Sequence, residues 1–143
     1  MARIKIEIPE RIHDRLCIPV RITDVNYGNH MGNDALVGII HEARVQWLNK
    51  MGYSEMNIEG ASIIMSDLAV CYLSESFYGD QLEISIAIGD FTTAGFEIYY
   101  LIETIRQEKT IAIAKAKTGI VFYDYKDKKI TAIPADFKTK ISS

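Results

Sequence analysis

From Asn33 to Met51 apolar residues recur at every third or fourth position. Leu36, Ile40, Ala43, Trp47 and Met51 fall on one face, with Val37 and Ile39 on its flanks, a spacing that predicts an amphipathic helix over 33–51. Asn33 is placed to cap its start, Asp34 and Lys50 complement the two ends of its dipole, and Gly52 suits the left-handed residue just past its end. Elsewhere the period is two. Residues 3–8 set Ile4, Ile6 and Ile8 against Lys5 and Glu7 and stop at Pro9, which predicts a first strand, and 16–22 predicts a second. Longer strand patterns follow at 62–73, 81–88, 96–105 and 110–125, separated by turn-forming residues. In the second of these, Leu82, Ile84, Ile86 and Ile88 alternate with Gln81, Glu83 and Ser85, so one face packs on something large, most simply the helix. Consecutive strands joined by short turns imply an antiparallel sheet, and the expected fold is α+β, a single domain over 1–143. One helix leaves sheet surface and edges uncovered, which predicts an oligomer.

Composition narrows the partners. The chain has 143 residues, 48% apolar and 24% charged, enough for one self-sufficient core. A net charge of -3 provides no general attraction for nucleic acid or anionic lipid, so any bound phosphate must meet a local basic cluster. Cys17 and Cys71 stand alone, without zinc spacing or a disulfide framework, and a reducing cytoplasm is the expected compartment. No run approaches the ~18 apolar residues of a membrane span, and the N-terminus lacks the apolar stretch of a secretion signal.

The motifs of serine hydrolases, nucleotide-binding loops and EF-hands are missing. His41-Glu42 begins like a zinc-binding HExxH, but Val45 stands where the second His is needed, so no metal is expected. The oddest segment is 23–34, TDVNYGNHMGND, a loop rich in Asn, Asp and Gly that runs into the helix. Arg21, Asp24, Asn26, His30 and Gly32-Asn33, followed by Glu42-Ala43-Arg44, resemble the hot-dog thioesterase superfamily in its 4-hydroxybenzoyl-CoA thioesterase-like branch. The resemblance covers essentially the whole chain and includes two later landmarks, Tyr78-Gly79-Asp80-x-Leu82 and Lys115-x-Lys117-x-Gly119-x-Val121. It implies a hot-dog fold, an antiparallel sheet wrapped around one long central helix, acting on the thioester of an acyl-CoA or acyl-carrier protein. It also implies a homodimer or tetramer with sites at the subunit interface and no prosthetic group, coenzyme A entering only as part of the substrate. One position departs from the family: its frequent catalytic Asp falls on Asn26, whose amide cannot serve as a base. The spacing of His30 and Glu42 is similar instead to that of plant acyl-carrier-protein thioesterases, whose implicated Asn falls here on Gly28.

A thioester carbonyl is already activated, so its hydrolysis needs an oriented water and a place for the developing oxyanion. Backbone N–H groups around Gly32 and Asn33, at the start of the helix, suit the oxyanion. His30 is placed to polarise the carbonyl or relay a proton, and Glu42 is either the base it recruits or a solvated, Arg-paired side chain. Asn26 suits a water or the carbonyl. Asp24 caps the loop or touches substrate, and Asp67 faces the site of a neighbouring subunit or a polar interface. Lys115 and Lys117, on one strand face, are candidates for carrier phosphates. Phe96, Tyr99 and Tyr100 are expected to pack in the sheet. Two other readings fit the resemblance: a hydratase or dehydratase of acyl thioesters, which the lack of a proline-rich His loop disfavours, and a non-catalytic acyl-CoA binding module, which Asn26 favours.

Overall fold

A computed structural model describes residues 3–142, so residues 1, 2 and 143 of the expected domain lie outside the described residues. In chain order the elements are β1 (Asp14–Pro19), a short 3-10 turn (Ile22–Asp24), α1 (Asn33–Lys50), β2 (Ser62–Tyr72), β3 (Gln81–Phe91), β4 (Gly95–Arg106), β5 (Lys109–Asp124), β6 (Lys129–Ile130) and α2 (Ala135–Ser142). All strand pairs are antiparallel. The sheet runs β1-β3-β4-β5-β2, with β6 paired to the end of β5.

Period-two burial builds one wall of the core. Leu82, Ile84 and Ile86 of β3, Ile98, Tyr100 and Ile102 of β4, and Ala114, Ala116 and Thr118 of β5 are all buried completely. The other wall is α1, about 27 Å long, which buries Leu36, Ile39, Ile40, Ala43, Trp47 and Leu48. This is the expected α+β arrangement. At the C-terminal end of α1, Gly52 takes the left-handed conformation (φ 84°). At the other end the expected cap shifts by one residue: Asn33 is already helical, and Gly32, extended at φ -67° and ψ 148°, occupies the cap position with no side chain to offer.

Residues 3–8 do not form the expected strand. Alternation alone does not make one without a free sheet edge alongside, and residues 4–7 instead border a hollow with Ala69, Glu97, Tyr99 and Lys117, while the Arg3 guanidinium donates to the Tyr72 carbonyl. The first strand starts at Asp14. The structure also contains α2, which no pattern predicted because eight residues are too few for a helical period to stand out. Its Phe137 is completely buried, with its ring 5.4 Å from that of Phe96 and 5.6 Å from those of Tyr53 and Phe122.

One polar residue breaks the apolar face of α1. Arg44 is 6% exposed; its Nε donates to Glu55 at 2.8 Å and its Nη1 to the Tyr100 hydroxyl at 3.3 Å. Tyr100 in turn meets the Thr118 hydroxyl at 2.8 Å, and His41 reaches the second Glu55 oxygen at 2.7 Å. The network ties α1 to β4 and β5 and satisfies polar groups that would otherwise be costly to bury.

β2 forms one end of the sheet. Its inner side pairs with β5, with an irregular register between Met65 and Asp67, and Ile64 and Met65 are exposed.

Candidate active site

The loop before α1 is held by its own backbone. Asp24, 7% exposed, accepts from the Arg21 backbone N–H at 2.9 Å and from the Arg21 guanidinium at 3.2 Å. Burial alone would raise the Asp24 carboxyl; the hydrogen bonds and charge of Arg21 outweigh it, leaving the carboxyl below its ordinary value. Farther on, Asn26 N–H donates to the His30 carbonyl and Asn29 N–H to the Asn26 carbonyl, both at 3.0 Å, and Asn29 is left-handed (φ 65°). The Asn26 side-chain oxygen accepts from Gly28 N–H at 2.9 Å. A Cβ on Gly28 would lie 3.1 Å from that oxygen and 3.2 Å from His30 Nε2, which favours glycine in this turn. Gly32 N–H then donates to the Asp24 carbonyl at 3.0 Å, and α1 begins.

The first N–H groups of α1 have no acceptor within the helix, and Gly32 at the cap position offers them no side chain. They border a cleft of about 400 Å³ lined by Asn26, His30, Met31, Gly32 and Asn33 on one side, and by residues 72–76 and Ile113 on the other. The Tyr72 hydroxyl donates to the Asn33 carbonyl at 2.7 Å; burial first, and then the charge of Asp34, raise that phenol above its ordinary value. His30 Nδ1–H donates to the Met31 carbonyl at 3.3 Å. Its Nε2 lies 3.9 Å from a Glu75 oxygen. Residue 31 is also bonded across the cleft, its N–H donating to the Ser76 carbonyl at 2.7 Å.

Four of the expected residues, Asn26, His30, Gly32 and Asn33, are thus brought together. Glu42 is not: it borders a separate hollow with Arg21, Asp24 and Asp34 and accepts from the Gln46 amide at 2.8 Å. Recruitment of Glu42 by His30 of the same chain therefore lacks the required geometry. Asp24 shares that hollow, and its polar contacts are those of a loop cap. Lys115 and Lys117 flank the inward-facing Ala116 and so occupy the outer face of the sheet, and neither lines the cleft. Lys117 is engaged by Asp67 and Glu97, both at 2.9 Å, and these hydrogen bonds hold its ammonium above its ordinary value. The hydrogen bond from Lys117 is foremost in keeping Asp67 low. Lys117, already carrying two carboxylates, is poorly placed to take a phosphate. Phe96 and Tyr100 are buried against the core as expected, and Tyr99 is half-buried on the outer face. Sequence reasoning missed Tyr72 and Glu75, because no local pattern joins residues 72–75 to residue 30.

Residues 20–141 match the family described as the thioesterase-like superfamily. The chain belongs to that superfamily. Solved structures agree on the hot-dog fold. A thioesterase superfamily protein from Jannaschia sp. CCS1 is 14% identical with a TM-score of 0.82, covering 94% of this chain and 84% of its own. A 1,4-dihydroxy-2-naphthoyl-CoA thioesterase from Synechocystis is 19% identical with a TM-score of 0.79, covering 90% and 95%. A hypothetical protein from Staphylococcus aureus in complex with CoA is 16% identical with a TM-score of 0.80, covering 96% and 86%. No curated protein matches the sequence. Among the described residues of this superfamily member, no three His, Cys, Asp or Glu side chains converge as a metal site, and no helix is long and apolar enough to cross a membrane.

Proposed function

We propose that the protein hydrolyses the thioester of an acyl-CoA or acyl-carrier protein in the cleft at the start of α1. The observation that carries this reading is the uncapped N-terminus of a long helix opening onto the same cleft as His30, in a member of the thioesterase-like superfamily. With Nδ1–H committed to Met31, the neutral ring presents a lone pair at Nε2. That nitrogen takes a proton from water as the water oxygen bonds to the thioester carbon. The resulting oxyanion is stabilised by the free N–H groups of the first helical turn, an arrangement worth about 3 kcal/mol per donor in other hydrolases. Collapse breaks the C–S bond, and the departing thiolate recovers the proton from Nε2. The Asn26 amide orients the water or the carbonyl. The CoA bound to the S. aureus structure supports CoA as the carrier. A panel of acyl-CoAs assayed by chromogenic thiol detection tests the reading, and thiol release with free-acid formation is expected. Hydration of an enoyl-CoA without thiol release would favour a hydratase, and binding without turnover a binding module.

A second copy of the chain pairing along the free edge of β2 is part of the same proposal. An 11-residue edge strand with exposed Ile64 and Met65 is a ready template for another strand, and Tyr72 and Leu73, at its end, already line the cleft. Light scattering at micromolar concentration is expected to give at least twice 16.2 kDa; a stable monomer would reject the pairing. The free thiols Cys17 and Cys71 are in keeping with the reducing cytoplasm proposed as its compartment.

A further inference from the structure

We infer that Glu75 is a positioning residue for His30, supplying from the β2–β3 loop the carboxylate that Asn26 does not. The inference rests on the hydrolytic reading of the cleft.

A set of hydrogen bonds fixes the loop that carries Glu75. Arg106 Nη2 donates to the Glu75 carbonyl at 2.7 Å and to the Asp80 carboxylate at 2.6 Å. Asp80 also accepts from Phe77 N–H at 2.9 Å and from the Ser76 hydroxyl at 3.0 Å. Finally, Met31 N–H donates to the Ser76 carbonyl at 2.7 Å. This last bond joins the residue after His30 to the residue after Glu75, so the backbone itself sets the two side chains opposite each other. The result is the 3.9 Å approach of Nε2 and Oε1.

The tautomer gives this approach a direction. While the ring is neutral, Nε2 offers a lone pair, and a carboxylate beside it contributes no hydrogen bond. Once Nε2 has taken the proton from water, the same carboxylate faces an imidazolium, and the contact becomes attractive. It therefore favours the state formed on the way to the tetrahedral intermediate more than the resting enzyme, which is the condition for raising turnover rather than binding. His30, Tyr72 and Glu75 are the ionisable side chains lining the cleft, with Asp34 nearby acting on Tyr72. Tyr72 donates to the Asn33 carbonyl, so Glu75 is the anion facing the ring.

Glu75→Gln and Glu75→Asp test the assignment, with folding checked by circular dichroism and thermal melting. On the best acyl-CoA, Glu75→Gln is expected to lower kcat about tenfold with KM within about twofold, and Glu75→Asp to recover part of the loss. In parallel, the NMR resonances of the His30 ring, recorded at one fixed pH, are expected to move in Glu75→Gln, because the carboxylate beside Nε2 at 3.9 Å is then gone. A folded Glu75→Gln variant with wild-type kcat, or one changed in KM alone, would overturn the inference. So would unchanged His30 ring resonances, a readout that requires no turnover. If the wild type hydrolyses no acyl thioester, the proposed function fails, while the ring resonances still decide whether Glu75 acts on His30.

Discussion

His30→Ala is expected to lower kcat about a hundredfold on the best acyl-CoA, the range for a positioned acid or base, while leaving the fold intact. The ring is more than a third exposed, and its hydrogen bond is made to the neighbouring Met31 carbonyl, so little packing is lost with it. What is lost is Nε2, the basic nitrogen in the cleft beside the free N–H groups of α1. Residual turnover comes from those N–H groups, which the substitution does not touch. Glu42→Gln is the companion measurement. Its carboxylate borders another hollow and is bonded to Gln46, so the variant should retain near wild-type turnover. A folded His30→Ala enzyme with undiminished kcat would remove the proton-transfer role. A hundredfold loss in Glu42→Gln would show that the helix acid reaches the reaction by a route outside the single chain.

The largest expected effect on stability is at Glu55. Glu55→Ala leaves the Arg44 side chain, 7% exposed against 28% for Glu55, without its carboxylate, a loss of about 3 kcal/mol, the low end for removing one partner of a buried pair. In a domain of this size that lowers the melting temperature by roughly 6–12 °C. Replacing both residues, Arg44→Met with Glu55→Leu, should cost less than Glu55→Ala alone, because no charge is then stranded. The pH dependence follows from the carboxyl. Burial acts to raise Glu55, but the hydrogen bonds and charges of Arg44 and His41 outweigh it and hold the folded-state value below the ordinary one. Its contribution is therefore complete above the ordinary carboxylate range and disappears as the pH falls through the lowered value. Thermal melts of wild type and Glu55→Ala should converge toward acid pH, and a constant gap across that range would contradict the assignment.

Most of the architecture was legible because it rests on local periodicity. Leu82, Ile84 and Ile86 alternate because every second side chain of β3 meets the core, and Leu36 to Trp47 follow the helical period for the same reason. The errors fell where the deciding contact lies far along the chain. Residues 3–8 alternate as well as β3 does but form no pairing with a strand, residues 4–7 bordering Ala69, Glu97, Tyr99 and Lys117 instead. No local pattern marks Arg44 as buried, since Glu55 and Tyr100 enclose it from elsewhere in the chain, and none marks Glu75, which the Met31–Ser76 hydrogen bond brings to His30. Of the candidate site, the portion contiguous in sequence, Asn26 to Asn33, was found. The far wall of the cleft, residues 72–76, was not, because only the pairing of β2 with β5 places it there.

β5 lies between β4 and β2, and this order matters while the chain is being made. The apolar stripe of α1 and the whole of β2 are synthesised before residues 109–124 exist, so β2 lacks its β5 partner during that interval. β3 and β4 can close as a hairpin by themselves, whereas β2 must wait across some forty residues for its neighbour, a non-local closure of the kind that slows folding. The strand proposed to join two finished subunits therefore stays unpaired in the nascent protein until β5 has been made. A ribosome-bound chain that stalls before β5 presents that edge early, and pairing between neighbouring nascent chains competes with the fold it would later serve.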